Sequence, residues 1–333
     1  MKAFIDRLNE SAPLLYDGGF GTQLFEHGVE LANSSLANQS HGDTVVALHR
    51  EYIRAGSDII QSNSFVASQL HLEMADSIDG DARQLARLAG RHARHAVEEE
   101  GRDVYVAGCI GPSPGAIEAD SGDTVFGIAN DKVRAAHEQV AAGLVEGGVD
   151  LFCLETMFSA KEAAMAVDVA RQFELPIAVN MTYKYTRDRR TGEIVYRTDW
   201  GHSAADLVDT LSSGEFSDGV DLLDSVQILG LNCGAEQERA EHTGMAYAVI
   251  GLGQLKAEME ARGIEGKRMM AYPNAGLPTL DFKTRRSVYP QGSEEMSERV
   301  PDLFAAGAHI VGGCCGTGPE YIRAFKQVLE SCI

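Results

Sequence analysis

One plan recurs along this chain and narrows its folding options more than any other feature. A helix-like stretch ends at glycine, an Asp or His follows, and a short apolar run ends in polar residues. "HREYIRAGSDIIQSN", "AAGLVEGGVDLFCLET" and "PDLFAAGAHIVGGCC" all follow it. Glycine closes helices because it takes up left-handed backbone without strain. Apolar runs alternating with helical patterns predict parallel strands buried on both faces. Eight such runs can be read, at 14–19, 58–65, 104–111, 151–156, 177–183, 226–233, 269–276 and 309–315. Eight strand–helix units in 333 residues predict an α/β fold, a single (β/α)8 TIM barrel. A doubly wound sheet is the alternative, and it would usually need fewer strands. No Gly/Pro/Ser-rich linker divides the chain, so residues 1–333 read as one domain.

Charge and cysteine usage exclude several functions. The formal net charge is −20, from 29 basic and 49 acidic residues. That balance argues against nucleic acid or an anionic membrane surface as partner, since either needs a basic face. No apolar run is long enough to span a bilayer. The opening "MKAFIDRLNESAPLLYD" lacks the apolar segment of a secretory signal. Six cysteines are too sparse for a disulfide scaffold of this size. A reduced, cytoplasmic setting is expected, where clustered cysteines suggest metal or catalysis.

Polar residues gather where the apolar runs end: Asp17, Asn63, Glu155, Asn180, Asn232, Cys233, Asn274, Cys314 and Cys315. In such barrels these strand ends form the active face. Strands six and eight would bring Cys233 and the adjacent Cys314 and Cys315 to one mouth. Neighbouring cysteines rarely bridge each other, because the ring they close is strained. Three thiolates instead make a zinc site with an open fourth position, as in catalytic rather than closed structural zinc. A substrate thiol entering that position binds as thiolate. Such a site suits sulfur alkylation better than water activation. Core packing is the competing reading for any buried cysteine, and it is the plainer one for Cys109, Cys153 and Cys332. The spacing is not that of a zinc knuckle.

The segments "DGGFGTQL", "LETMFSAKEA", "LGLNCG", "YPNAGLP" and "VGGCCGTGPEYIRAF" occur in this order. Together they resemble the homocysteine S-methyltransferase family. Their motifs are most similar to the homocysteine-binding module of cobalamin-dependent methionine synthase. Betaine–homocysteine and S-methylmethionine-dependent methyltransferases are related to it. The resemblance implies a zinc barrel in which the bound homocysteine thiolate attacks a donor methyl group to form methionine. It implies Cys233, Cys314 and Cys315 as zinc ligands, in agreement with their strand-end positions. It also implies that Asp17, Gly18 and Gly19 line the homocysteine site and that Glu155 receives the substrate ammonium. Read from the residues alone, "DGGFGT" is either an anion nest or a plain turn, and Glu155 either a substrate contact or half of a structural ion pair. Asn232, beside the first zinc cysteine, is a further substrate-binding candidate among amides that could equally bond backbone or sulfur.

The methyl donor is open at this stage. A methyl-corrinoid protein docking over the mouth, as in a split methionine synthase, is weighed against a small donor, S-methylmethionine or betaine. Oligomeric state is open as well. A non-catalytic zinc-binding barrel and a zinc hydrolase are the other function classes. Against the first, no fourth Cys or His lies near in sequence; the second would expect His or carboxylate ligands. The stretch 182–203 is long for its place, and the charges around "RTGE" suggest a hairpin turn. Trp200, Tyr183 and Tyr185 could enclose an onium donor, although packing of the loop is the commoner use of such aromatics. The ten histidines, His202 included, read as packed or solvated, and "HARHAVEEE" as a solvated helix face.

Overall fold

The computed structural model describes residues 2–75, 80–234, 238–283 and 286–331; Cys332 lies outside the described residues. All eight expected strands are present: β1 (Leu14–Leu15), β2 (Ile59–Gln61), β3 (Tyr105–Ile110), β4 (Leu151–Met157), β5 (Ile177–Met181), β6 (Ile228–Cys233), β7 (Arg268–Pro273) and β8 (Ala308–Val311). They form one eight-stranded parallel sheet in the order β1-β8-β7-β6-β5-β4-β3-β2. Helices α1 (Gly42–Ala55), α2 (Ala82–Glu100), α3 (Asn130–Gly147), α4 (Ala160–Ala170), α5 (Ala204–Ser212), α6 (Gly244–Ala261), α7 (Val300–Ala305) and α8 (Pro319–Ser331) cover the outside. This is a nearly closed (β/α)8 barrel.

The helix ends follow their sequence signals. Gly56, Gly101 and Gly148 cap α1, α2 and α3 in left-handed backbone. At the other ends, Asp81 and Ser159 accept N–H bonds from the first turns of α2 and α4, and Ser203 forms a capping box with Asp206 on α5.

Period-two alternation sorts each strand into an inner and an outer face. Leu14, Ile59, Tyr105, Leu151, Ala178, Ile228, Met270 and Ile310 fill the barrel interior. Their neighbours Leu15, Ile60, Val106, Phe152, Val179, Leu229, Ala271 and Val311 pack under the helices. The N-terminal helix Phe4–Leu8 plugs the bottom, where the Phe4 ring meets Tyr105 at 5.2 Å.

β1 and β2 are shorter than expected, and side chains add to the backbone bond between them. The Asp58 N–H donates to Leu15 O at 2.7 Å, and the Leu15 N–H donates to Asp58 Oδ2 at 2.9 Å. Higher up, the Gln61 N–H donates to Asp17 Oδ2 at 2.7 Å. Carboxylates thus close the β1–β2 seam.

The loop after β5 is a hairpin, Lys184–Arg187 against Ile194–Arg197, with its turn at the expected charges. A second hairpin, Thr279–Asp281 against Arg286–Val288, follows β7 and was not expected. His95, Glu98 and Glu99 are exposed as expected of a solvated face, but Ala93, Ala96 and Val97 in the same stretch are buried. No helix among the described residues is long and apolar enough to cross a membrane.

Candidate functional site

At the C-terminal mouth of the barrel, Cys233 ends β6 while Cys314 and Cys315 follow β8. Their sulfurs all lie within 4.8 Å of one another, a grouping that could hold a metal ion. Cys314 Sγ and Cys315 Sγ are 4.0 Å apart. Backbone geometry creates the convergence. Cys233 sits at φ +56°, a left-handed conformation that turns its side chain from the strand path toward the pair. The Cys314 N–H donates to Pro273 O at 2.9 Å and the Cys315 N–H to Asn274 Oδ1 at 3.1 Å, so the end of β7 holds the pair.

The thiols share charge unequally. Hydrogen bonds from Cys233 and Cys314 hold Cys315 well below the ordinary thiol range, against the effect of burial. The same cluster, with burial, pushes Cys314 well above it.

The cysteines floor a cleft of about 660 Å³ whose lining includes Asp17, Gly18, Gly19 and Glu155. Glu155 is 6% exposed. Its Oε2 accepts from Gln61 Nε2 at 2.6 Å and Cys109 Sγ at 3.0 Å, and its Oε1 from Asn232 Nδ2 at 3.2 Å. Burial raises the Glu155 carboxyl to about 7. Asp17 is wholly buried, and burial pushes its carboxyl well above the usual range, with the Glu155 charge adding to the rise. Its Oδ1 has no hydrogen-bond partner. Two buried carboxyls, one of them with an orphaned oxygen, offer acceptors that suit a cation with several N–H donors.

Gly18 and Gly19 serve by their lack of a side chain. A Cβ on Gly18 would lie 2.4 Å from Thr317 O, and one on Gly19 2.3 Å from Cys314 O. The Gly19 N–H donates to Thr317 O at 2.8 Å, which uses it within the fold. The "DGGFGT" turn therefore clasps the cysteine loop.

Asn232 is fully buried behind the cleft wall, its amide bonded to Thr156 and Glu155. Asn180 donates to Cys153 Sγ at 3.4 Å in the barrel core, Asn274 supports Cys315, and Asn63 lines the cleft. Trp200 lines the cleft. Tyr183, by contrast, is buried, and the Tyr185 ring meets His242 at 4.4 Å, tilted by 36°. His202 is packed, its Nδ1 accepting the Ala160 N–H at 3.0 Å, whereas His71 reaches the cleft lining.

Sequence reasoning passed over Gln61, Cys109 and Thr156. Gln61 carried a usable signal, a polar residue closing the apolar run "DII". Cys109 and Thr156 carried none.

The fold and site define a parallel (β/α)8 barrel with a three-thiol centre at the ends of its sixth and eighth strands. The chain belongs to the homocysteine S-methyltransferase family, whose model matches residues 14–329. It is 28% identical over 334 residues to a methionine synthase of Mycobacterium leprae, covering 95% of this chain and 24% of that protein. Against a methionine synthase of Mycobacterium tuberculosis it is 29% identical over 328 residues, covering 92% and 24%. The chain thus spans about a quarter of the length of these curated relatives. Its fold matches the metallated form of the homocysteine methyltransferase MmuM from Escherichia coli, with a TM-score of 0.68 and 21% identity over 98% of this chain and 99% of that one. The oxidised form of MmuM gives 0.67, at 21% identity and 98% coverage of each chain.

Proposed function

We propose that residues 1–333 act as one zinc-dependent homocysteine S-methyltransferase domain that forms methionine. The observation carrying this reading is the convergence of the Cys233, Cys314 and Cys315 sulfurs at the floor of a cleft walled by buried carboxyls. Zinc–sulfur bonds of about 2.3 Å at tetrahedral angles separate sulfurs by about 3.8 Å, and the 4.0 Å between Cys314 and Cys315 is close to that. Among the described residues the cluster has three members, which leaves one tetrahedral position for a substrate thiol. Zinc held there would strip the thiol proton and keep the sulfur electron-rich toward a methyl group.

The chain's own side chains would do the rest. The ammonium of homocysteine supplies the donors that Asp17 Oδ1 lacks and offsets the charge of Glu155. Gly18 and Gly19 keep the first loop pressed against the cysteine loop, so both halves of the site hold one geometry.

For the donor we favour a methyl-corrinoid protein docking on the mouth, with this chain as one subunit of a split methionine synthase. One observation supports docking: large apolar side chains stand exposed on the connections that follow the barrel strands, Met74, Val125, Phe126, Leu280 and Phe282. The cleft itself favours a second reading, a small donor such as S-methylmethionine or betaine. It has room beside homocysteine and is walled by Phe65, Phe158 and Trp200.

The test is methionine formation by the purified, zinc-loaded chain with homocysteine and each donor in turn. Turnover only with a methylated corrinoid protein supports the first reading, and turnover with S-methylmethionine or betaine alone overturns it. Failure with every donor counts against methyl transfer altogether.

A further inference from the structure

Cys109 looks like core filling, being wholly buried in the middle of the sheet. Its surroundings say otherwise. The Cys109 N–H donates to Ser62 Oγ at 3.0 Å, and Ser64 Oγ donates to Cys109 O at 2.7 Å. The two serine hydroxyls are themselves bonded at 2.8 Å. The backbone is thus gripped from both sides by the loop after β2, which fixes where the side chain points. It points at Glu155 Oε2, 3.0 Å away, the same oxygen that takes the Gln61 amide at 2.6 Å. Burial, with the nearby Glu155 charge, pushes the Cys109 thiol well above its ordinary range, so it remains S–H and can only donate toward a carboxylate.

We infer that Cys109 is a positioning residue for substrate recognition: with Gln61 it holds one Glu155 oxygen and so turns the other toward the amino group of the substrate. The geometry supports this division of labour. Oε1, which takes a single amide bond, from Asn232 Nδ2 at 3.2 Å, lies 3.9 Å from Cys314 Sγ, on the side of the thiol cluster. The inference rests on the proposed reading of Glu155 as the ammonium receptor. A thiol suits the task in one further respect. Its bond to an anion is weak enough to hold the carboxylate's orientation while leaving it basic toward the ligand.

The test compares two ligands by titration calorimetry on zinc-loaded protein: homocysteine, and 4-mercaptobutyrate, which keeps the thiol and carboxylate but lacks the amino group. Cys109→Ala is expected to weaken homocysteine about fivefold, the scale of a disturbed charged hydrogen bond. It should leave 4-mercaptobutyrate and zinc content unchanged. Cys109→Ser, which keeps an O–H donor at the same place, should restore most of the homocysteine affinity. A purely structural role would shift both ligands together. Glu155→Gln separates the two layers of the claim. If it removes the preference for homocysteine while Cys109→Ala keeps it, the inference about Cys109 is overturned and the role of Glu155 stands. If Glu155→Gln keeps the preference too, the reading of Glu155 falls and takes the inference with it.

Discussion

Asn232 and Thr156, from strands two places apart in the ring, exchange a pair of hydrogen bonds. The Thr156 N–H donates to Asn232 Oδ1 at 2.8 Å, and Asn232 Nδ2 donates to Thr156 Oγ1 at 2.7 Å. Thr156 sits at φ +56°, a costly position for a β-branched residue, and Asn232 directly precedes the left-handed Cys233. The pair therefore pins two strained strand ends, one beside Glu155 and one carrying a thiol.

Asn232→Ala should remove that pin. It leaves the buried Thr156 N–H without an acceptor, at an expected cost of about 2–3 kcal/mol in urea unfolding. Zinc content should fall with it, because Cys233 loses its brace. A variant as stable as the parent would show that the strained ends hold themselves.

Serine at Cys233, Cys314 or Cys315 exchanges a thiolate ligand for a neutral hydroxyl. Each variant should lose most of its zinc, from about one ion per chain, whereas Cys153→Ser should keep its own. Elemental analysis of the purified proteins decides it, and full occupancy in all three would sink the ligand assignment.

Gly19→Ala should lower both stability and zinc affinity. The backbone there, at φ −70°, tolerates alanine, so the effect is purely one of space: the new Cβ would lie 2.3 Å from Cys314 O. Overpacking of this kind costs about 1–3 kcal/mol. Gly21→Ala is the control, since a Cβ there meets nothing within 4 Å. Equal melting temperatures for the two variants would refute the close contact.

His49 should give the fold a measurable acid sensitivity. Its ring is wholly buried against Phe20 with both nitrogens unpartnered, and burial lowers its pKa from 6.5 to about 3. The folded chain therefore keeps it neutral while the unfolded chain protonates it. Its contribution is fully present above about pH 6.5 and is lost as pH falls toward 3, at about 1.4 kcal/mol per pH unit. His49→Leu should flatten the stability profile between pH 6 and 4 by close to one proton. An unchanged slope would mean that the imidazole is solvated.

The barrel was legible because its units repeat the same local physics. Gly56, Gly148 and Gly307 all show positive φ where a helix gives way to a strand, and each such junction is visible as a glycine before an apolar run. The three thiols were legible because strand ends share one face. What stayed hidden depends on contacts between distant segments. Cys109 and Cys153 are register partners on β3 and β4, and both read as packing, yet only Cys109 meets a carboxylate. Nothing local distinguishes the two. Asp17 was expected to line the homocysteine site, and only the fold shows its other duty at the β1–β2 seam.

That seam gives the ring of strands a fastening that reaches the cleft. Elsewhere side chains such as Asp150, which accepts the Val106 N–H, add to the peptide ladder at the opposite ends of the strands. Between the first and second strands the uppermost stitch is the carboxylate of Asp17, a residue of the cleft lining, with one oxygen holding the Gln61 backbone N–H and the other without a partner. On the proposed reading, an ammonium that grips the free oxygen would also pull on the buckle of the hoop, and slower exchange of the Gln61 backbone amide proton with solvent would register that tension.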